Sequence, residues 1–181
     1  SIADSELITP VSILEEAVRK SNKRVIEVAA TSPEYEGMGT TLVISTILEG
    51  VLYVANIGDS RLYVLRDSLE QITEDHSLVE EMVKSGELAK ENVRSHPNKN
   101  IITRALGIGS NVEADYFQFE VMENDIILMC SDGLTNMVED IDIEYTIKSS
   151  RDNPQKAMME LLSKANEAGG KDNITVLVVK V

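Results

Sequence analysis

Three aspartates in this chain share one local context. Asp132 follows the unbroken apolar run Ile126 to Cys130 and precedes Gly133; Asp59 stands between Gly58 and Ser60, after Val51 to Ile57; Asp172 sits beside Asn173, just ahead of Ile174 to Val179. A carboxylate at the end of a buried strand is held rigidly, and a neighbouring glycine lets the backbone turn sharply and lets a ligand approach. Three such carboxylates, with no paired cysteines or histidines beside them, suit hard divalent cations such as Mg²⁺ or Mn²⁺ over zinc or copper. Two such ions close together can generate hydroxide at neutral pH and clamp a phosphoryl oxygen, which is an effective way to hydrolyse a phosphate ester. The same residues are also ordinary turn formers, and Asp132 also fits the N-cap of a helical turn.

Other phosphate chemistries lack their parts. A cysteine-based phosphatase requires Cys-x5-Arg, but the residue six positions after Cys130 is Asn136. No Asp-x-Asp-x-Thr nucleophile, no G-x-x-x-x-G-K-[ST] loop and no glycine-rich loop followed by a lysine strand is present.

The elements that must position these carboxylates can be read in order. Residues 1–9 carry no pattern. From Ser12 the apolar spacing is helical, with Ser12 and Glu15 at capping-box separation, and this helix ends before Pro33. Thr40 to Leu48, Val51 to Ile57 and Arg61 to Leu65 are predicted strands, the last two joined through Gly58-Asp59-Ser60 as a tight hairpin. His76 to Val83 reads as a short amphipathic helix closed by Gly86, residues 87–93 as a further helical turn, and 101–108 has no definable type. Glu113 to Val121 alternates like a half-exposed strand, and Ile126 to Cys130 reads as a strand buried on both faces. Ile141 to Ile147 is predicted helical, Asn153-Pro154 opens another helix that Gly169-Gly170 stops, and Ile174 to Val179 is predicted as a final buried strand.

A chain of 181 residues fits one domain, taken as 1–181, with enough apolar residues (43%) to build a core without staples. Its 31 acidic residues against 17 basic ones give a net charge of -14, which repels phosphate backbones and anionic lipid and argues against a nucleic-acid or membrane partner. The single cysteine permits no internal disulfide, and the apolar runs fall short of the ~20 residues of a membrane span, so a cytoplasmic location is expected.

The motifs occur in a particular order: Gly37-Met38-Gly39-Thr40-Thr41; Asn56-Ile57-Gly58-Asp59-Ser60-Arg61; Thr73-Glu74-Asp75-His76-Ser77; His96-Pro97 with Ile102-Thr103-Arg104-Ala105-Leu106-Gly107; Cys130-Ser131-Asp132-Gly133-Leu134; and Lys171-Asp172-Asn173 with Thr175-Val176. In this order, over about residues 12 to 181, the chain resembles the bacterial PP2C-type metal-dependent protein phosphatases. The resemblance implies an α+β fold, a four-layer α-β-β-α sandwich of two antiparallel sheets flanked by helices, with metal-dependent hydrolysis of phosphoserine and phosphothreonine in proteins. It implies Asp132 and Asp172 as catalytic residues that ligate a pair of Mg²⁺ or Mn²⁺ ions, and Asp59 as a ligand of a third, more weakly held metal. It also implies a flap over about residues 77–104, phosphoprotein substrates and a cognate Ser/Thr kinase, while His76 and His96 read as structural. The family's opening Arg-x-x-Asn-x-Asp-like and Asp-Gly-x-Gly-Gly-His segments are not found before Ser12, so the N-terminal strands are expected to be missing and sheet edges exposed for pairing. The alternative is a catalytically incomplete fragment or pseudophosphatase that binds phosphoproteins or other partners.

Overall fold

Thr9 caps the first helix. Its hydroxyl accepts from the Ser12 N–H at 3.1 Å, Ser12 Oγ accepts from the Thr9 N–H at 2.9 Å, and Pro10 occupies the first turn, where no N–H is needed. The capping pair is therefore Thr9 with Ser12 and not Ser12 with Glu15, and α1 runs Pro10–Ala29. The computed structural model describes residues 9–181; residues 1–8, part of the patternless stretch, lie outside the described residues.

Seven strands follow: β1 Leu42–Leu48, β2 Val51–Ile57, β3 Arg61–Leu65, β4 Leu69–Gln71, β5 Asp115–Glu120, β6 Ile126–Cys130 and β7 Val176–Lys180. Among them lie α2 Leu78–Lys84, α3 Asp132–Thr135, α4 Asp140–Ser149 and α5 Pro154–Glu167, with short 3-10 turns at Pro33–Tyr35 and Lys90–Ser95. The strands form two antiparallel sheets, ordered β1-β2-β5 and β4-β3-β6-β7.

Alternation decides which residues face where. Leu52 and Val54 of β2 meet Leu62 and Val64 of β3 and Ile127 of β6 in the layer between the sheets. On the outer face of the first sheet, Leu14 and Val18 of α1 pack on Ala55, Ile57 and Leu106. Outside the second sheet, Ile143, Ile147, Leu161 and Ala165 of α4 and α5 cover Tyr63, Leu65, Ile126 and Leu128. The result is the four-layer α-β-β-α sandwich. Leu128 is fully buried in the outer layer, so Leu128→Ala should lower unfolding stability by about 3 kcal/mol, measurable by urea denaturation with an unchanged m-value. Among the described residues no helix is long and apolar enough to cross a membrane.

Two strand expectations are corrected. β2 and β3 do not pair as a hairpin; they belong to different sheets, and Gly58-Asp59-Ser60 is a crossover between layers. The reason is burial: both strands place apolar residues on an inner face and an outer face, a demand met when each lies inside its own sheet. The final strand is not buried. β7 is an edge strand whose Leu177 and Val179 lie opposite Met129 and Ile127, on the face turned toward the first sheet. The first sheet has one strand fewer and leaves them 50% and 39% exposed.

Register brings the loops to one end. Arg61 at the start of β3 lies opposite Cys130 at the end of β6, which lies opposite Val176 at the start of β7. In the other sheet Asn56, near the end of β2, pairs with Asp115 at the start of β5. The segments carrying residues 59, 132 and 172 therefore emerge at the same end of the sandwich.

Candidate functional site

Asp132 leaves β6 as the first residue of α3, with Ser131 as the cap. Ser131 binds the approach to β7 with its main chain and its side chain. Its N–H donates to Thr175 O at 3.1 Å, its hydroxyl donates to Asn173 O at 3.1 Å, and Oγ accepts from the Thr175 N–H at 3.0 Å. This draws the 172–173 segment against Gly133, where a Cβ would collide with the Asn173 carbonyl. Glycine at 133 is what lets Asp132 and Asp172 approach each other. Asn136, one turn on, donates to Asp132 Oδ2 at 3.0 Å and orients it.

Asp59 occupies the crossover turn. Gly58 has φ +99°, and a Cβ there would strike the Thr41 side chain, so the turn fits against β1 only with glycine. Asp59 and Asp132 line one cleft of about 650 Å³, together with Lys90, Arg94 and Lys99 from the segment after α2.

The electrostatics link the carboxylates pairwise, Asp59 with Asp132 and Asp132 with Asp172. Burial and then the Asp132 charge push Asp59 up to about 6 from its ordinary 3.8. Burial and then the Asp172 charge push Asp132 up, opposed by the Gly133 N–H, Asn136 and Lys99. All three predicted site residues stand on segments at one end of the sandwich: Asp59 and Asp132 are half-buried and line the cleft, while Asp172 is exposed and is not among its lining residues. Among the described residues, no group of three or more His, Cys, Asp or Glu side chains could by itself hold a metal ion.

The raised Asp59 has a measurable sign. Between its ordinary value and about 6 the folded chain binds more protons than the unfolded one, so this contribution to stability falls as pH rises through that window. In metal-free protein, Asp59→Asn should raise stability by about 1 kcal/mol at about pH 7.5, after allowance for solvent screening, and change little at about pH 4. Calorimetry at the two pH values checks this.

Other polar groups at this end of the sandwich or singled out by the motifs are committed to the fold. Arg61 is engaged by Asp75 (Nη2 to Oδ2, 2.7 Å) and by Tyr63 OH at 2.9 Å, and Tyr63 OH donates to Asp140 at 3.2 Å. Burial pushes the Cys130 thiol up to about 12, which disqualifies it as a nucleophile. His96 accepts from the Asn98 N–H at 3.2 Å within its own loop. His76 does not open α2; Ser77 caps that helix, and His76 is buried beneath the Asp59 turn. Lys99 and Asn136 were not singled out in the sequence. Asn136 could have been found from its i+4 spacing to Asp132, whereas Lys99 reaches the site from a loop with no local signal.

Comparison with known proteins agrees with this architecture. The family model "Protein phosphatase 2C" matches residues 3–82. The serine/threonine phosphatase stp of Listeria innocua is 45% identical over 168 residues, covering 92% of this chain and 66% of the relative. Protein phosphatase PhpP of Streptococcus pneumoniae is 42% identical over 149 residues, covering 81% and 60%. The chain thus spans just under two thirds of the length of these curated relatives. The crystal structure of the Mycobacterium tuberculosis serine/threonine phosphatase PstP/Ppp superposes with TM-score 0.91 at 34% identity, covering 99% of this chain and 75% of that one. A structure of the PstP catalytic domain in complex with two manganese ions superposes at 0.86 with 34% identity, covering 98% and 74%. With the four-layer sandwich, the ordered motifs and this degree of identity in hand, the chain belongs to the protein phosphatase 2C family.

Proposed function

We propose that this chain carries a large part of the active site of a metal-dependent protein serine/threonine phosphatase that reverses a cognate kinase in the cytoplasm. The observation that supports the reading is the placement of Asp59, Asp132 and Asp172 at one end of the sandwich, where burial and a neighbouring carboxylate disfavour the charge of Asp59 and of Asp132. The donor chemistry fits Mg²⁺ or Mn²⁺. The donors are oxygens, the site has excess negative charge, and Mg²⁺ is commonly held by one or two carboxylates with waters filling the remaining positions. Asp132 and Asp172 would hold the catalytic pair and Asp59 a third ion. Divalent metal bound there supplies Lewis-acid activation of water and neutralises charge on the phosphoryl group.

The chain's own residues do the rest. Asn136 fixes the rotamer of Asp132, and Ser131 fixes the 172–175 segment. Lys90, Arg94 and Lys99 line the cleft from the 77–104 segment, which we assign as the flap, and offer positive charge to a phosphoryl group entering beside the carboxylates. Glu80 and Glu139 also line the cleft, and with the net charge of -14 they favour phosphoprotein segments over nucleic acid. Among the described residues β7 is outermost in its sheet, so its free backbone edge offers a place for a further strand to pair, beside the uncovered Leu177 and Val179. Hydrolysis of p-nitrophenyl phosphate and of a phosphothreonine peptide by the full-length protein tests the reading. Activity with Mn²⁺ that EDTA abolishes and Mn²⁺ restores is expected; turnover indifferent to EDTA would refute it.

A further inference from the structure

Gly58 is buried, and a single residue holds both of its backbone polar groups. Its N–H donates to Nδ1 of His76 at 3.1 Å, and its carbonyl accepts from the His76 N–H at 2.9 Å. Because Nδ1 accepts, the proton of the neutral ring sits on Nε2, which lies 3.1 Å from Oδ2 of Asp115 and donates to it; Arg104 Nη1, itself a donor, lies 3.2 Å from the same nitrogen. Asp115 is fixed in turn by Arg104, whose Nη1 donates to Oδ1 at 2.7 Å. Burial pushes the Asp115 carboxyl up, but the hydrogen bonds from His76 and Arg104 outweigh it and hold the group below the ordinary carboxylate range. The imidazole is thus clamped between a strand-start carboxylate of one sheet and the turn that carries Asp59.

The same residue lies at the stem of the 77–104 segment. Its carbonyl accepts from the Thr103 N–H at 2.8 Å, and Leu78 N–H donates to Ile101 O at 2.9 Å, so both ends of the segment close on His76. Asn56 assists only with donors: Nδ2 reaches Gly58 O at 3.3 Å and Glu74 O at 3.0 Å, while Oδ1 finds no partner among the described residues. Among the described residues nothing but the imidazole accepts from Gly58 N–H.

We propose that His76 is a positioning residue that holds the Gly58-Asp59 turn, and hence the Asp59 carboxylate, in register with the stem of the 77–104 segment. It acts through Gly58 and touches no reacting group. Removing its ring leaves a buried N–H without an acceptor at a turn that glycine alone permits, and the turn relaxes where Asp59 is attached. The assignment of Asp59 as a metal ligand rests on the proposed phosphatase reading; the hold on the turn does not.

The test compares His76→Leu, which keeps bulk without an acceptor, with His76→Asn, whose Oδ1 can stand where Nδ1 stood, in the full-length protein. Amide exchange without metal should accelerate by about tenfold in residues 57–60 of the leucine variant and stay within about threefold of wild type in the asparagine variant. The weakest Mn²⁺ binding step, followed by electron paramagnetic resonance of free Mn²⁺, should loosen by about tenfold in the first and little in the second. Exchange that is unchanged at 57–60, or that rises equally throughout the chain, overturns the proposal. Wild-type protein that binds no Mn²⁺ refutes the phosphatase reading, and the exchange arm then judges His76 alone. If His76→Leu does not fold, Asp115→Ala removes the acceptor on the far side of the ring and should accelerate exchange at 57–60 in the same direction; no local change there overturns the proposal equally.

Discussion

Asp132→Asn in the full-length protein is expected to lower Mn²⁺-dependent hydrolysis of p-nitrophenyl phosphate by about 10³-fold, equivalent to ~4 kcal/mol of transition-state stabilisation, while leaving the protein folded. The expectation follows from where the carboxylate stands. It leaves the end of a buried strand, shares a cleft with Asp59 and lies within the field of Asp172. The substitution preserves shape and removes charge. Without metal, that charge is a burden on the fold, since burial and Asp172 both disfavour it, so the unfolding temperature should hold or rise even as turnover collapses. Parallel loss of turnover and stability would instead point to a packing role. Retention of more than about a tenth of the wild-type rate would remove Asp132 from the chemistry.

Gly133→Ala should have a large effect for a different reason. The glycine is buried inside the first turn of α3, and a Cβ there would meet the Asn173 carbonyl and the Ile174 backbone, neither of which can swing away as a flexible side chain would. Relief requires the 172–175 segment to retreat, which breaks the three hydrogen bonds to Ser131. A loss of about 3 kcal/mol in unfolding stability is expected, with weaker Mn²⁺ binding because Asp172 moves with the segment. Denaturant melts and Mn²⁺ titration of the one variant read both effects. A variant as stable as wild type would show that the close approach is not needed.

The two substitutions also show how the chain was legible as sequence. The apolar run Ile126 to Cys130 announced β6, and the Asp-Gly after it announced a turn with a fixed carboxylate, because strand burial and glycine turns are local properties. The four layers followed from the ordered motifs more than from periodicity. What local pattern could not reveal was pairing. Gly58-Asp59-Ser60 has the composition of a hairpin, yet β2 and β3 separate into two sheets because each must bury both faces. Ile174 to Val179 is also an apolar run, yet β7 lies outermost in its sheet with its inner face partly uncovered, since nothing in its own residues says how many strands flank it or face it. His76 read as the opening of a helix, and its ring is instead committed to Gly58 and Asp115, contacts 18 and 39 positions away. Lys99 reaches Asp132 from a polar loop for the same reason: long-range approach is set by register, and register is a property of pairs of segments.

Register also underlies the central claim, that acidic side chains from three distant segments form one cation site. Mn²⁺ binding to the full-length protein, measured by electron paramagnetic resonance in wild type, Asp132→Asn and Asp172→Asn, tests it most directly. Tight binding in wild type that both substitutions abolish, with Asp59→Asn affecting only a weaker binding step, is the predicted result. Wild-type affinity and stoichiometry retained in both Asp132→Asn and Asp172→Asn would contradict it.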